Sequence, residues 1–213
     1  LAIRYLSIEG VPGVGKTRLA SILGERFNAR LLLEVPEENP FLPLYYEDPD
    51  RYAFQTQVFY LLSRYRQQQE VHQLDLFQSM AVANYLFHRD RIYASLTLSD
   101  DELALYEHLV DAVSENVPRP DLVIYLQNSV ENVMRAIRRR DRGYERVMTT
   151  EYVSRLIDAY NRFFFHYTQT PLLVVQAANL DFVHRPNDLE ALLGQLDSPP
   201  AGTRHYSPMS VGT

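Results

Sequence analysis

Lys16 is the only lysine in a chain that uses arginine twenty times. It stands in Gly10-Val11-Pro12-Gly13-Val14-Gly15-Lys16-Thr17, which fits G-x-x-x-x-G-K-[ST], the pattern of a phosphate-binding loop, at every fixed position. Glycines there let successive backbone N–H groups point into one concavity at a helix N-terminus, where the partial positive charge of the helix favours an anion. Lys16 is expected to reach the β- and γ-phosphates of a nucleotide, and the Thr17 hydroxyl to take a place on Mg²⁺. A compact ammonium suits that contact better than a planar guanidinium.

Three further sets of residues carry chemistry. A hydroxyl that attacks a phosphorus needs a carboxylate to accept or orient its proton, best placed at the end of a strand beside the phosphate loop. Glu37 fits that requirement, with Glu34 and Glu38 as close competitors by position. Gln57 and Arg64, seven residues apart on one flank of a helical pattern, offer amide and guanidinium groups suited to reading the edge of a nucleobase. Arg138, Arg139, Arg140, Arg142 and Arg146 form a dense basic cluster. A helix C-terminus attracts two or three cations on its own account. Five within nine residues suggest a lid whose guanidinium forks stabilise charge on a transferring phosphoryl group.

The elements that must position these groups are legible as alternating periods. Ile3 to Ile8 reads as a strand before the loop and Arg18 to Phe27 as the helix after it. Leu31 to Val35 reads as a short strand closed by Pro36, and Asn39 to Pro43 as a proline loop. A helix runs from about Asp50 to Gln69 with Phe54, Val58, Leu61, Leu62 and Tyr65 as its apolar stripe. Ser79 to Tyr85 is a third strand, and helical structure starts at Arg91 and resumes from Asp100 to Asn116 after a Ser99 cap. Asp121 to Leu126 is a strand, Ser129 to Arg139 and Glu151 to Tyr167 are helices, Leu172 to Gln176 is the fifth strand, and Pro186 to Leu196 closes the pattern with proline in its first turn. Such alternation predicts an α/β fold, a five-stranded parallel sheet with helices on both faces, spanning 1–196. Residues 197–213, rich in Pro, Ser and Gly, read as a disordered tail. There is no internal repeat.

Composition narrows the classes. With 213 residues, 46% hydrophobic and 23% charged, the chain suits one soluble globular domain. No run approaches the roughly 18 apolar residues of a membrane span, and no basic-then-apolar signal segment opens the chain, so a cytoplasmic protein without a membrane partner is expected. Zero cysteines exclude disulfides, thiolate metal sites and cysteine nucleophiles. A net charge of −6 argues against a nucleic-acid partner.

In order and spacing the residues resemble the deoxynucleoside kinases, most closely bacterial deoxyadenosine/deoxyguanosine kinases, up to about Val183. The carriers are Ile8-Glu9-Gly10 with the phosphate loop, Val35-Pro36-Glu37-Glu38-Asn39-Pro40-Phe41-Leu42, and Tyr46 ahead of Asp48-Pro49-Asp50-Arg51-Tyr52. Gln57 through Ser63-Arg64-Tyr65-Arg66, Asp90-Arg91-Ile92-Tyr93-Ala94 and the arginine run ending in Glu145 complete them. The resemblance implies a P-loop NTPase fold with an arginine-rich lid, ATP and Mg²⁺ as cofactors, a small-molecule deoxynucleoside, with purine preferred, as substrate, nucleotide salvage as the role, and a homodimer. It also implies Glu37 as general base, Gln57 and Arg64 as base readers, and Tyr46 and Glu145 at the sugar 3′-hydroxyl. Arg140 and Arg142 match lid positions, Arg138 lies beside them, and Asp181-Phe182 matches a loop by the ATP base.

One departure stands out. Animal members carry an acid followed by Arg-Ser after the third strand, and bacterial relatives are expected to carry Asp where this chain has Asn84, within Ala83-Asn84-Tyr85. Glu37, Glu9 or Asp90 is then expected to supply the missing charge, or catalysis to be weak, with Arg89 and Asp90 facing the nucleobase. Two alternatives follow: a nucleoside monophosphate kinase, or a nucleotide-binding module that turns over poorly. The loop itself yields a direct expectation. Lys16→Ala should nearly abolish turnover in a coupled ADP-release assay, and near-normal turnover would refute the phosphate-loop assignment.

Overall fold

The structure is a computed structural model that describes residues 3–71, 78–182 and 184–208. Its centre is a parallel sheet whose first strand, β1 (Tyr5–Glu9), is buried along its full length. The chain leaves β1 through the phosphate loop into α1 (Lys16–Phe27) and returns as β2 (Arg30–Leu32). A 3-10 turn (Pro36–Glu38), α2 (Leu42–Glu47) and α3 (Pro49–Gln68) follow, then β3 (Ala81–Ala83), a 3-10 turn (Phe87–Arg89), α4 (Asp90–Thr97) and α5 (Asp100–Ser114). The remainder is β4 (Leu122–Gln127), α6 (Val130–Arg140), a 3-10 turn (Gly143–Val147), α7 (Thr150–Phe165), β5 (Leu172–Gln176), α8 (Pro186–Asp197) and β6 (Thr203–Tyr206).

The sheet order is β2-β3-β1-β4-β5-β6, with every neighbouring pair parallel. Connections therefore run to one side of β1 as far as β3 and to the other side from β4 onward. That reversal opens a crevice beyond the C-terminal end of β1, where ligands bind in open α/β sheets. The core is continuous through β1, β4 and β5, with Leu6, Ile8, Val123, Ile124, Leu173 and Val175 fully buried. Uninterrupted apolar runs are what a strand covered on both faces requires.

Local signals explain most boundaries. Ser99 and Glu102 form a reciprocal capping box on α5, and Ser129 accepts from the Asn132 N–H to cap α6. Along α3, Phe54, Val58, Leu61 and Tyr65 pack together with α4 and α5 residues, whereas Leu62 points to solvent at 52% exposure, outside the expected stripe. Two expectations are corrected. The sheet has six strands rather than five, because Thr203–Tyr206 pairs in parallel with β5. Part of the expected disordered tail is thus an edge strand, and 209–213 lie outside the described residues. The proline stretch after β2 also leads into a short helix, α2, since Pro43 sits in its first turn, where no N–H is needed. Among the described residues no helix is long and apolar enough to cross a membrane.

The turn out of β1 depends on one glycine. Gly10 has φ +148°, and a Cβ there would lie 2.6 Å from the Leu126 carbonyl oxygen, an obstacle made of backbone. Gly10→Ala is therefore expected to cost about 2 kcal/mol or more in urea unfolding. A loss below about 0.5 kcal/mol would show that the loop tolerates a side chain there.

Candidate active site

A cavity of about 570 Å³ opens at the sheet crevice, of a size that holds a small ligand. Pro12, Gly13, Gly15, Lys16 and Thr17 form its floor, while Val11 and Val14 turn their side chains into the core beside the buried Gly10. The Lys16 ammonium donates to the carbonyls of Gly10 (2.6 Å) and Val11 (3.1 Å). Burial lowers its pKa to about 8, against the attraction of Glu9. A phosphate at the loop would restore a full positive charge there by direct attraction.

The wall nearest the loop holds a buried charge cluster. Glu34, at the exit of β2, accepts from Arg64 of α3 (Nε, 2.8 Å) and from Arg89 of the turn before α4 (Nη2, 2.6 Å to each oxygen). Arg64 also pairs with Asp90. Burial opposes the Glu34 charge, but the two guanidiniums outweigh it and hold the carboxyl at about 2. At Asp90 burial prevails over Arg64 and raises the pKa. Glu9 is committed elsewhere: its oxygens accept from the N–H groups of Gly10 (2.9 Å) and Leu86 (2.8 Å), and Arg89 lies 3.7 Å away.

Asn84 joins the loop to this wall. Its oxygen accepts from the Glu34 N–H (2.9 Å) and its amide donates to the Thr17 hydroxyl (2.8 Å). The departure noted in the sequence therefore lies against Thr17, the expected Mg²⁺ residue. Glu37, in contrast, sits on the following 3-10 turn, half-exposed, with Arg142 and Tyr144.

Farther in, Gln57 is 4% exposed, lines the cavity, and makes no hydrogen bond among the described residues. Its amide is therefore available to a group that enters the cavity. Six tyrosines share the cavity lining with it: Tyr45, Tyr46, Tyr60, Tyr93, Tyr144 and Tyr152. Sequence reading picked only Tyr46 from this set; fifteen tyrosines in the chain were the available signal, but their spacing does not single out the six. Glu145 is buried and accepts from Arg140 (Nε, 3.0 Å). Arg139, Arg140 and Arg142 line the mouth, whereas Arg138, Asp181 and Phe182 are not among the lining residues. Asp181 instead contacts His184 and Asp188, and Phe182 packs against the core.

The Glu34 cluster carries a stability consequence. A carboxyl at about 2 in the fold, against an ordinary 4.5, contributes stability that is present above about 4.5 and lost as pH falls toward 2. Glu34→Gln is expected to cost about 3 kcal/mol near neutral pH, because two buried guanidiniums lose their counter-ion. Denaturant unfolding at a series of pH values should show that cost shrinking below about pH 4.5. A cost that does not vary with pH would refute the assignment.

Comparison with known proteins agrees with this geometry. A family model described as deoxynucleoside kinase matches residues 6–198. The chain is 29% identical over 193 residues to a deoxyguanosine kinase of Bacillus subtilis, covering 88% of this chain and 93% of that one. It is 33% identical over 165 residues to a deoxyadenosine kinase of Dictyostelium discoideum, covering 75% and 66%. The solved structure of deoxyadenosine kinase from M. mycoides with bound dATP superposes with a TM-score of 0.78 at 25% identity, covering 91% of this chain and all of that one. With a phosphate loop, a paired carboxylate beside it, a cavity between them and the lid, and the family model matching residues 6–198, the chain belongs to the deoxynucleoside kinase family.

Proposed function

We propose that the protein transfers the γ-phosphoryl group of ATP to the 5′-hydroxyl of a deoxynucleoside, with a purine preferred, in nucleotide salvage. The observation that carries this reading is the single cavity that runs from Lys16 and Thr17, past Glu34, to the unpartnered amide of Gln57. Phosphates belong at the first end and a nucleobase at the second, which leaves the sugar hydroxyl beside the carboxylate. The purine preference rests on the names of the similar proteins, deoxyguanosine and deoxyadenosine kinases.

Of the three carboxylates that sequence position left in competition, Glu34, Glu37 and Glu38, Glu34 is the best-placed hydroxyl acceptor. It is rigidly held, and through Asn84 it is tied to Thr17, whereas Glu37 faces the lid. Its low pKa does not disqualify it. Phosphoryl transfer passes through a loose transition state in which the acceptor hydroxyl loses little proton density early, so the carboxylate chiefly orients it and receives the proton late. Arg140 and Arg142, which line the mouth, are the candidates to meet charge on the transferring oxygens. Tyr46 and Glu145 line the same cavity as candidates for the 3′-hydroxyl.

Mg²⁺ fits the donor set at the loop. It binds through few protein ligands and keeps waters and phosphate oxygens, and the Thr17 hydroxyl supplies one such ligand. Among the described residues no cluster of three or more His, Asp or Glu offers a complete protein cage. When bound, the ion neutralises charge on the phosphates. The proposal extends to a cytoplasmic homodimer with no nucleic-acid or membrane partner.

A monophosphate acceptor is disfavoured by charge. Arg64 and Arg89, the guanidiniums deepest in the cavity, are already paired with Glu34 and Asp90, which leaves no spare cation there for a second phosphate. The test is ADP release with Mg²⁺-ATP against each deoxynucleoside and its monophosphate, repeated with Glu34→Gln. Turnover with deoxyadenosine or deoxyguanosine, and a loss of about 10²- to 10⁴-fold in kcat for Glu34→Gln with ATP binding retained, is expected. Preference for a monophosphate would overturn the acceptor class, and an active Glu34→Gln would overturn the role of Glu34.

A further inference from the structure

We infer that Glu37 is a positioning residue for the arginine lid: it holds Arg142 and Tyr144 across the cavity mouth and gives up Arg142 to an incoming phosphate. Three contacts close a triangle. Arg142 Nε lies 3.2 Å from Glu37 Oε1, the Tyr144 hydroxyl donates to the same oxygen at 3.1 Å, and Arg142 Nη1 donates to the Tyr144 oxygen at 3.0 Å. The Tyr144 ring is stacked on Tyr46 of α2, with centroids 5.7 Å apart and planes 20° apart. The lid is thereby fastened to two elements on the far side of the mouth.

The other ion pairs of this segment do not perform that task. Arg140–Glu145 and Arg146–Asp141 join lid residues to one another. Among the described residues, Arg142–Glu37 is the ion pair that connects the lid to the rest of the protein. Its exposure decides what it does. Arg142 is 31% and Glu37 49% exposed, so the pair contributes little, on the scale of exposed ion pairs. A phosphate, with more charge and a matching fork geometry, displaces such a carboxylate readily. A buried pair would hold the lid shut, and no pair would leave it unplaced.

Only the identity of the displacing anion rests on the kinase reading; the latch is testable without nucleotide. The experiment is hydrogen–deuterium exchange by mass spectrometry on residues 141–148 of the full chain, in wild type, Glu37→Gln, Tyr144→Phe and the double variant. Exchange is expected to rise about two- to fivefold in each single variant. The double variant should exchange no faster than the faster single one, because both break one triangle. Added ATP should restore protection in Glu37→Gln, since the phosphates then hold Arg142. Unchanged exchange in Glu37→Gln and Tyr144→Phe without nucleotide would overturn the latch. Restored protection absent in a variant that binds ATP by calorimetry would overturn the transfer of Arg142. A protein that shows the latch yet phosphorylates no nucleoside would refute the kinase reading alone.

Discussion

The largely enclosed carboxylate of Glu34, paired with the buried Arg64 and Arg89, is the constraint on which the rest of the site depends. It fastens three elements that are far apart in sequence: the exit of β2, the C-terminal part of α3 and the turn before α4. Taking such charges out of water costs several kcal/mol per ion, and only close pairing recovers it. Apolar residues of the same volume would often be equally stable or more so. What they could not do is present an ionised acceptor at a fixed position beside a phosphate loop. Arg64, which also pairs with Asp90, extends the same network toward the end of the cavity where Gln57 waits. On the proposed reading, the part that would read a nucleobase and the part that would orient a hydroxyl are therefore joined by one cluster.

The protein uses ion pairs in two regimes. On the acceptor side they are buried, multiply bonded and permanent, and their role is geometry. In the lid segment Arg142–Glu37 and Arg146–Asp141 are exposed and weak enough to be exchanged, whereas Arg140 pairs with the buried Glu145. Lys16 belongs to neither group, since its ammonium is satisfied by two backbone carbonyls rather than by a carboxylate. That arrangement explains why a chain of twenty arginines keeps one lysine. A point charge with rotatable donors can lie along the loop and still turn to a phosphate.

Much of this was legible in sequence, for identifiable reasons. The phosphate loop is a fixed spacing of residue types, and the buried strands are apolar runs, so both announce themselves. β6 does not. Thr203-Arg204-His205-Tyr206 is a polar edge strand, exposed at alternate residues and set among Pro, Ser and Gly, and only its pairing with β5 defines it. Glu34 and Glu37 are three residues apart, and nothing local distinguishes them. What separates them is the 3-10 turn at Pro36–Glu38, which carries Glu37 toward the lid, and two arginines 30 and 55 positions away. Long-range partners of this kind are invisible to periodicity. Gln57 was legible as a polar residue beside an apolar stripe, but not as an amide that lines the cavity without a side-chain partner.

Asn84 shows how far shape can substitute for charge. The Glu34 N–H can only donate, so the asparagine oxygen must face it and the NH₂ must face Thr17. The Thr17 hydroxyl consequently accepts from Asn84, and one of its lone pairs is occupied. An aspartate in this place would still accept from Glu34, but it would take the threonine proton rather than give one, freeing both lone pairs for a cation. Asparagine thus preserves the link between loop and wall while reducing the negative field where the proposed Mg²⁺ would sit beside Thr17. Any consequence would fall on the proposed ion rather than on Glu34, because Glu34 owes its position to Arg64 and Arg89 as well as to Asn84.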